Sequence, residues 1–450
     1  QIRAGVIRPE VIVPRRATSS TAAPDNSDLE IGTRVRVIRE PYFGRLASRG
    51  RGTILRLNCG GTGETPVEYL SMWAYLWDLL DEGIDQALRQ MREEAGVNTV
   101  SLAVAYHTVQ HLRPRATGKK YFVSREASLY FHPDRKRYRD TSLQPRVSPL
   151  VIGSNPLREV AERCNAQGMG LIAWTVTLHN SYLGAHYPEV TVRNVFGDSI
   201  QEALCPAQEA VRAYVRGLVE DLTANYPLAG VELESLGYPC ARHYHCHEKI
   251  GIALGPLEQF LLSLCFCPAC RRRLEGQVDV EAAARAVRET ILSVLERGEP
   301  TGQSLPDYLA MQPAVASYLN AQRGIVTSLV QEVKAVCRTR LIYMDTGDWW
   351  GGGVDLPTVG HLADRLEILS YTPDARRTRD AIRRAAAATG GAERVTVGFS
   401  CFPPASPNPE ALYANVRAAA ECGVGALSFY HYGIMPPRNL LWVRQALALQ

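Results

Sequence analysis

No run of apolar residues in these 450 positions approaches the ~20 that a membrane-crossing helix needs. The chain does not open with the charged, apolar and small segments of a secretory leader, so a cytoplasmic protein is expected, although a start at Gln1 leaves a removed leader open. Cysteine is sparse and odd in number, eleven in all, which excludes a secreted disulfide framework and favours a reducing compartment or a metal site. Strong charge bias is also missing. The net charge is +4, and residues 1–65 carry eleven Arg against six acids, so the rest of the chain is close to −1. Basic character is thus confined to the N-terminal arm, where only Tyr42 and Phe43 could stack on bases, and nucleic-acid binding is not expected. There is no Walker-type loop, no dinucleotide fingerprint behind a first strand and no GxSxG elbow. GGTGE (60–64) and GDWWGGG (347–353) are Gly-rich but lack the Lys or the strand-to-helix context of a phosphate site.

What is present divides the chain in three. Residues 1–28 are rich in Pro, Ser, Thr and Ala without apolar periodicity and read as a flexible arm. Residues 29–66 alternate Val and Arg between Gly turns and read as a small β-rich segment, either an ordinary hairpin or an element resembling the KOW type. Residues 67–450 alternate short apolar runs with amphipathic stretches, the rhythm of βα units around a parallel sheet. Eight strands are expected: 67–73, 99–107, 170–179, 230–235, 340–346, 366–372, 394–402 and 425–432. Helices such as NPLREVAERCNAQG and NPEALYANVRAAAECG open on a capping Asn and close at Gly. Eight pairs fit a closed α/β barrel, the (β/α)8 TIM architecture, better than an open sheet.

In such a barrel the chemistry collects where strands end. Trp73, Tyr106, His107, His179, Asn180, Glu232, Glu234, Asp345, Tyr371, Asp374, Tyr430, His431 and Tyr432 all fall at or just after expected strand ends. Glu232 and Glu234 are two apart, so they share the lumenal face of their strand. Glu234, nearer the rim, is the candidate for chemistry, whereas Glu232 could instead pair with a base inside the barrel. Glycoside hydrolysis needs two carboxyls, and Asp345 and Asp374 are the candidate partners, with Asp348 a third. Asp374 could equally cap the helix that follows it. Trp349 and Trp350, with the other strand-end aromatics, offer flat faces for a carbohydrate or other polyhydroxylated ligand.

CFCPAC supplies Cys265, Cys267 and Cys270, and one more ligand would complete a tetrahedral zinc site of the structural kind. Cys246 and His247 lie about 18 residues upstream, a separation usual between the halves of such sites. Cys240, His245 and Cys205 are further candidates. His243, His245 and His247 alternate along one loop and could instead hold a catalytic metal, the mark of a metal-dependent hydrolase. Oligomeric state is open.

The segments MWAYLWDLLDEG, AWTVTLHNSYLG, ALCPAQEAVRAYVRGLVEDL, GVELESLGY and LCFCPACR together resemble bacterial glycosyl-hydrolase-like (β/α)8 proteins over roughly residues 67–440. The CxCxxC spacing is similar to the zinc cluster of family forty-two β-galactosidases, which implies a structural role for the three cysteines. That clan carries one Glu after strand four, which Glu234 matches, and another after strand seven. Here strand seven runs into GFSCFPPASPNPE with no Glu at its end. Barrels resembling α-galactosidases use carboxylates after strands four and six, which Glu234 and Asp374 would approximate. The resemblance therefore implies a glycosidase or, with the second Glu missing, a barrel that binds carbohydrate without cleaving it.

Overall fold

The computed structural model describes residues 55–58, 64–238, 249–347 and 352–448. Of the expected N-terminal β-rich segment it describes one antiparallel pair, Leu55–Asn58 against Glu64–Val67; the remainder of residues 1–63 lies outside the described residues. Eight parallel strands follow: β1 (Tyr69–Tyr75), β2 (Thr99–Tyr106), β3 (Gly170–Val176), β4 (Gly230–Glu234), β5 (Arg340–Asp345), β6 (Arg365–Leu369), β7 (Val395–Ser400) and β8 (Ala426–Tyr430). Each pairs with its sequence neighbours, and β8 pairs back onto β1, so the sheet closes into a barrel. The expected (β/α)8 fold is what forms.

Around the sheet run α1 (Ile84–Gln90), α2 (Pro156–Ala166), α3 (Glu209–Asn225), α4 (Pro313–Val336), α5 (Leu356–Leu362), α6 (Ala375–Thr389), α7 (Pro409–Glu421) and α8 (Asn439–Ala448). Short polar side chains start several of them: Asn155, Asp374 and Asn408 accept hydrogen bonds from the first-turn amides of α2, α6 and α7. Buried Arg212 joins α3 to α4, donating to Glu332 and Ser328 and to the carbonyls of Pro206 and Ile325.

The lumen is filled in layers. Tyr69, Ile172, Ile342 and Ala426 pack together at its N-terminal end. Above them stand Ser71, Ser101, Glu232, Glu367 and Ser428, all buried, and above those the indoles of Trp73 and Trp174. Gly398 makes room for Trp73: a Cβ there would come within 2.4 Å of the indole. The floor is held by Glu68, which pairs with Arg340 and Arg365.

Three connections at the C-terminal face are long. After β2 comes a hairpin, Val109–Leu112 with Tyr121–Ser124. After β3 comes a second, Thr191–Arg193 with Ser199–Leu204. After β4 come four helices, Pro256–Ser263, Pro268–Leu274, Val280–Arg297 and Leu305–Met311, ahead of α4. Among the described residues, no helix is long and apolar enough to cross a membrane.

Candidate active site

Glu234 is the last residue of β4 and retains partial solvent access at the mouth of the barrel. Its Oε2 accepts a 2.7 Å hydrogen bond from Trp174 Nε1 on the neighbouring strand. Burial, and to a lesser degree the charge of Glu232 below it, push its carboxyl up to about 7, against the lowering effect of the Trp174 bond. Glu232 is 1% exposed and accepts from Trp73 Nε1 at 2.7 Å and Ser101 Oγ at 2.5 Å. Its hydrogen bonds thus come from an indole and a hydroxyl, where the sequence suggested a base as one partner.

Aromatic side chains enclose this pair. Tyr430 meets Trp73 edge-on at 5.8 Å and Trp174 at 6.3 Å, and the exposed ring of Tyr371 lies 5.7 Å from Tyr430. Tyr75 donates from its hydroxyl to that of Tyr106 at 2.9 Å, and Tyr106 meets Trp174 edge-on at 4.9 Å. His107 stacks on Tyr106 and on His179, the two histidine rings 4.4 Å apart. The strand-end residues Trp73, Tyr106, His107, His179, Glu232, Glu234, Tyr371 and Tyr430 therefore form one contiguous cluster.

Other expected site residues fall elsewhere. Asp345 follows the inward Met344, so it belongs to the outer face of β5. There it lines a cavity of about 540 Å3 with Arg323, Asp355 and Arg384, on the helix side of the wall. Asp374 caps α6, where the amide and guanidinium of Arg376 hold its carboxyl below the usual range. Asn180 accepts from Leu183 N at 2.9 Å and starts a short helix. His431, fully buried, instead joins the aromatic cluster, its ring 4.0 Å from Tyr75, 5.0 Å from Tyr430 and 6.1 Å from Trp174, whereas the Tyr432 hydroxyl lies 2.7 Å from both Glu82 and Gln90 on the helix side. Asp348, Trp349, Trp350, His243, His245, Cys246 and His247 lie outside the described residues.

Three participants escaped the sequence reading: Trp174, Tyr75 and Glu367. All occupy alternate positions on expected strands or, for Tyr75, on a strand that runs two residues further than its apolar run suggested. The period-two spacing from Trp73, and the sheet pairing of Trp174 with Glu232, carry the signal that places the two aromatics.

A second cluster stands beside the mouth. Cys205, Cys265, Cys267 and Cys270 are buried and unpaired by disulfides, with sulfurs all within 4.8 Å of one another. Cys205 Sγ lies 3.5, 3.6 and 3.7 Å from those of Cys270, Cys267 and Cys265. Thiolates around a tetrahedral ion with bonds of about 2.3 Å would be about 3.8 Å apart, so the arrangement fits a metal. Cys205 supplies the fourth sulfur, and the shell is complete without Cys246 or His247. Arg193 N at 3.5 Å and Tyr238 Oη at 3.3 Å support Cys265 and Cys270. The Cys265 carbonyl accepts from Tyr318 and from Gln322 of α4. The cluster thereby ties the excursion after β3 to the one after β4.

No protein-family model matches the sequence, and no curated protein matches it. Among solved structures, the chain is similar to the β-galactosidase from the psychrophilic Marinomonas ef1 (TM-score 0.51, 12% identity, 84% of this chain and 59% of that one). It is also similar to the catalytic domain of the β-amylase from Paenibacillus polymyxa (TM-score 0.51, 9% identity, 84% of this chain and 98% of that one). The chain spans about 59% of the length of the galactosidase. At these identities the likeness concerns architecture: the protein has the closed (β/α)8 barrel that glycoside hydrolases use.

Proposed function

We propose that the chain hydrolyses an O-glycosidic bond, with Glu234 as the acid that protonates the leaving oxygen. The observation that supports this most directly is the Glu234 carboxyl, held by Trp174 at the barrel mouth and pushed up to about 7. A carboxyl that still carries its proton near neutrality can give it to a departing alkoxide, and an apolar aromatic setting is a physical means to that end. The rings of Tyr106, Tyr371 and Tyr430 suit the apolar faces of a sugar. Asp345 and Asp374, turned to other tasks, are poor partners for Glu234. Asp348, three positions beyond the end of β5 in the sequence, is the remaining sequence candidate for the second carboxyl.

The experiment is Glu234→Gln assayed on aryl glycosides of graded leaving-group ability. For poor leaving groups, turnover should fall by roughly 10²–10⁴; for activated dinitrophenyl glycosides, which need no proton, the loss should be far smaller. An equal loss across the series removes Glu234 from the acid role. The absence of a Glu behind β7 favours a second reading, a barrel that binds carbohydrate without cleaving it. Wild-type protein that binds sugars but turns over no member of a broad glycoside panel would select it.

For the four cysteines we propose a structural zinc ion. All four coordination positions would be occupied by protein, leaving none for substrate. Elemental analysis of the purified protein should find one zinc per chain, lost in Cys205→Ser.

A further inference from the structure

Two buried carboxyls lie in the lumen below Glu234, and they differ in what surrounds them. Glu232 receives hydrogen bonds from Trp73 and Ser101. Glu367, on β6 and 0% exposed, receives none of standard geometry at either oxygen. Its polar neighbours are the carboxyl of Glu232 and the Ser428 hydroxyl, which accepts from Ser71 at 2.7 Å and so keeps its own hydrogen to turn toward Glu367. An ionised carboxylate can only accept, whereas a carboxylic acid has one hydrogen to give. Two adjacent buried carboxyls cannot both ionise cheaply. Glu232, with an indole and a hydroxyl already donating to it, is the better placed to carry the charge, and Glu367, with only the Ser428 hydroxyl nearby and no bond of standard geometry, is the better placed to keep the proton.

We propose that Glu367 is a positioning residue: it keeps a proton, donates it to Glu232, and so fixes Glu232 as an anion beneath Glu234. This rests on reading Glu234 as the proton donor, whose retention of its own proton the charge of Glu232 assists. The other titratable or charged groups facing the pair are Tyr69, Arg365 and Tyr371. Arg365 is engaged at the floor by Glu68 and the Glu393 carbonyl. Burial and the neighbouring Glu232 hold Glu367 well above the ordinary carboxylate range, with Arg365 and Ser428 opposing.

The test needs no substrate. Infrared spectra of the whole protein at about pH 9, where ordinary carboxyls are ionised, should show a protonated-carboxyl band that Glu367→Gln removes. Carbon-13 NMR should then follow Glu234, its resonance assigned with Glu234→Gln. In Glu367→Gln the amide still offers Glu232 an N–H, and the Glu234 titration should stay in place. In Glu367→Leu, Glu232 loses that donor, the field it casts on Glu234 changes, and the proton affinity of Glu234 should shift about threefold or more. Absence of the band in wild type, its survival in Glu367→Gln, or an unmoved Glu234 titration in a folded Glu367→Leu protein overturns the proposal. The wild-type spectrum decides even where a variant fails to fold. A chain with these titrations but no glycosidase activity would sink the proposed function alone.

Discussion

Trp174 is paired in the sheet with Glu232, yet its indole nitrogen reaches one rung further out and bonds Glu234 at 2.7 Å. Adjacent strands thus divide the arrangement: β4 carries the carboxyl and β3 carries the indole that holds it. The bond favours the ionised form of Glu234 and works against burial.

Two pH effects follow from that opposition. With Glu234 as the proposed acid, hydrolysis should decline as pH rises through about 7, where its carboxyl loses its proton. Trp174→Phe removes a donor to the anion and should move this alkaline limb to higher pH while lowering kcat through loss of orientation. A limb that moves down in the pH profile of kcat/KM would contradict the assignment.

Glu234 also links stability to pH. Its folded value near 7 lies above the unfolded value of about 4.3. Its contribution is therefore fully present below the unfolded value and is lost as pH rises to the folded one. Gln at this position can still accept from Trp174 and never ionises. The Tm of Glu234→Gln should thus exceed that of wild type by a margin that widens between about pH 4.5 and 7.5 and then stays constant, as read by scanning calorimetry.

Gly398→Ala should be harmful although only a methyl group is added. The new Cβ would sit 2.4 Å from the Trp73 ring, forcing the indole away from Glu232. Overpacking of this kind costs about 1–3 kcal/mol, measurable by denaturant unfolding. Trp73→Phe in the Gly398→Ala background should recover much of it, because the smaller ring leaves space for the methyl.

With zinc in the tetrad as proposed, Cys205→Ser should abolish its binding and lower Tm, and prolonged chelation of wild type should do the same. Activity should fall as the mouth loosens and return when zinc is restored, whereas the far-ultraviolet dichroism of the barrel should change little.

The eight strands could be read from the sequence because each is a short apolar run with helical stretches on either side, and Asn155, Asp374 and Asn408 announced their helices. Parity along the strands could not. A parallel strand buried on both faces shows no alternation of apolar and polar residues. LIYMD therefore gave no sign that Met344 points inward and Asp345 out. Glu232 and Glu234 were legible as a pair because charges are rare on such strands, but the partner across the lumen, Glu367 in RLEIL, looked like any isolated acid. Cys205 was one of several sulfurs and imidazoles in reach of CFCPAC, and only folding of two long excursions against each other singles it out.

That tetrad draws its sulfurs from segments about sixty residues apart, one ahead of α3 and the others behind β4. An ion seated there can be gathered only after the third and fourth repeats have both been synthesised and docked. Filling of the tetrad would therefore report the joining of those two repeats, and metal uptake during refolding would time it.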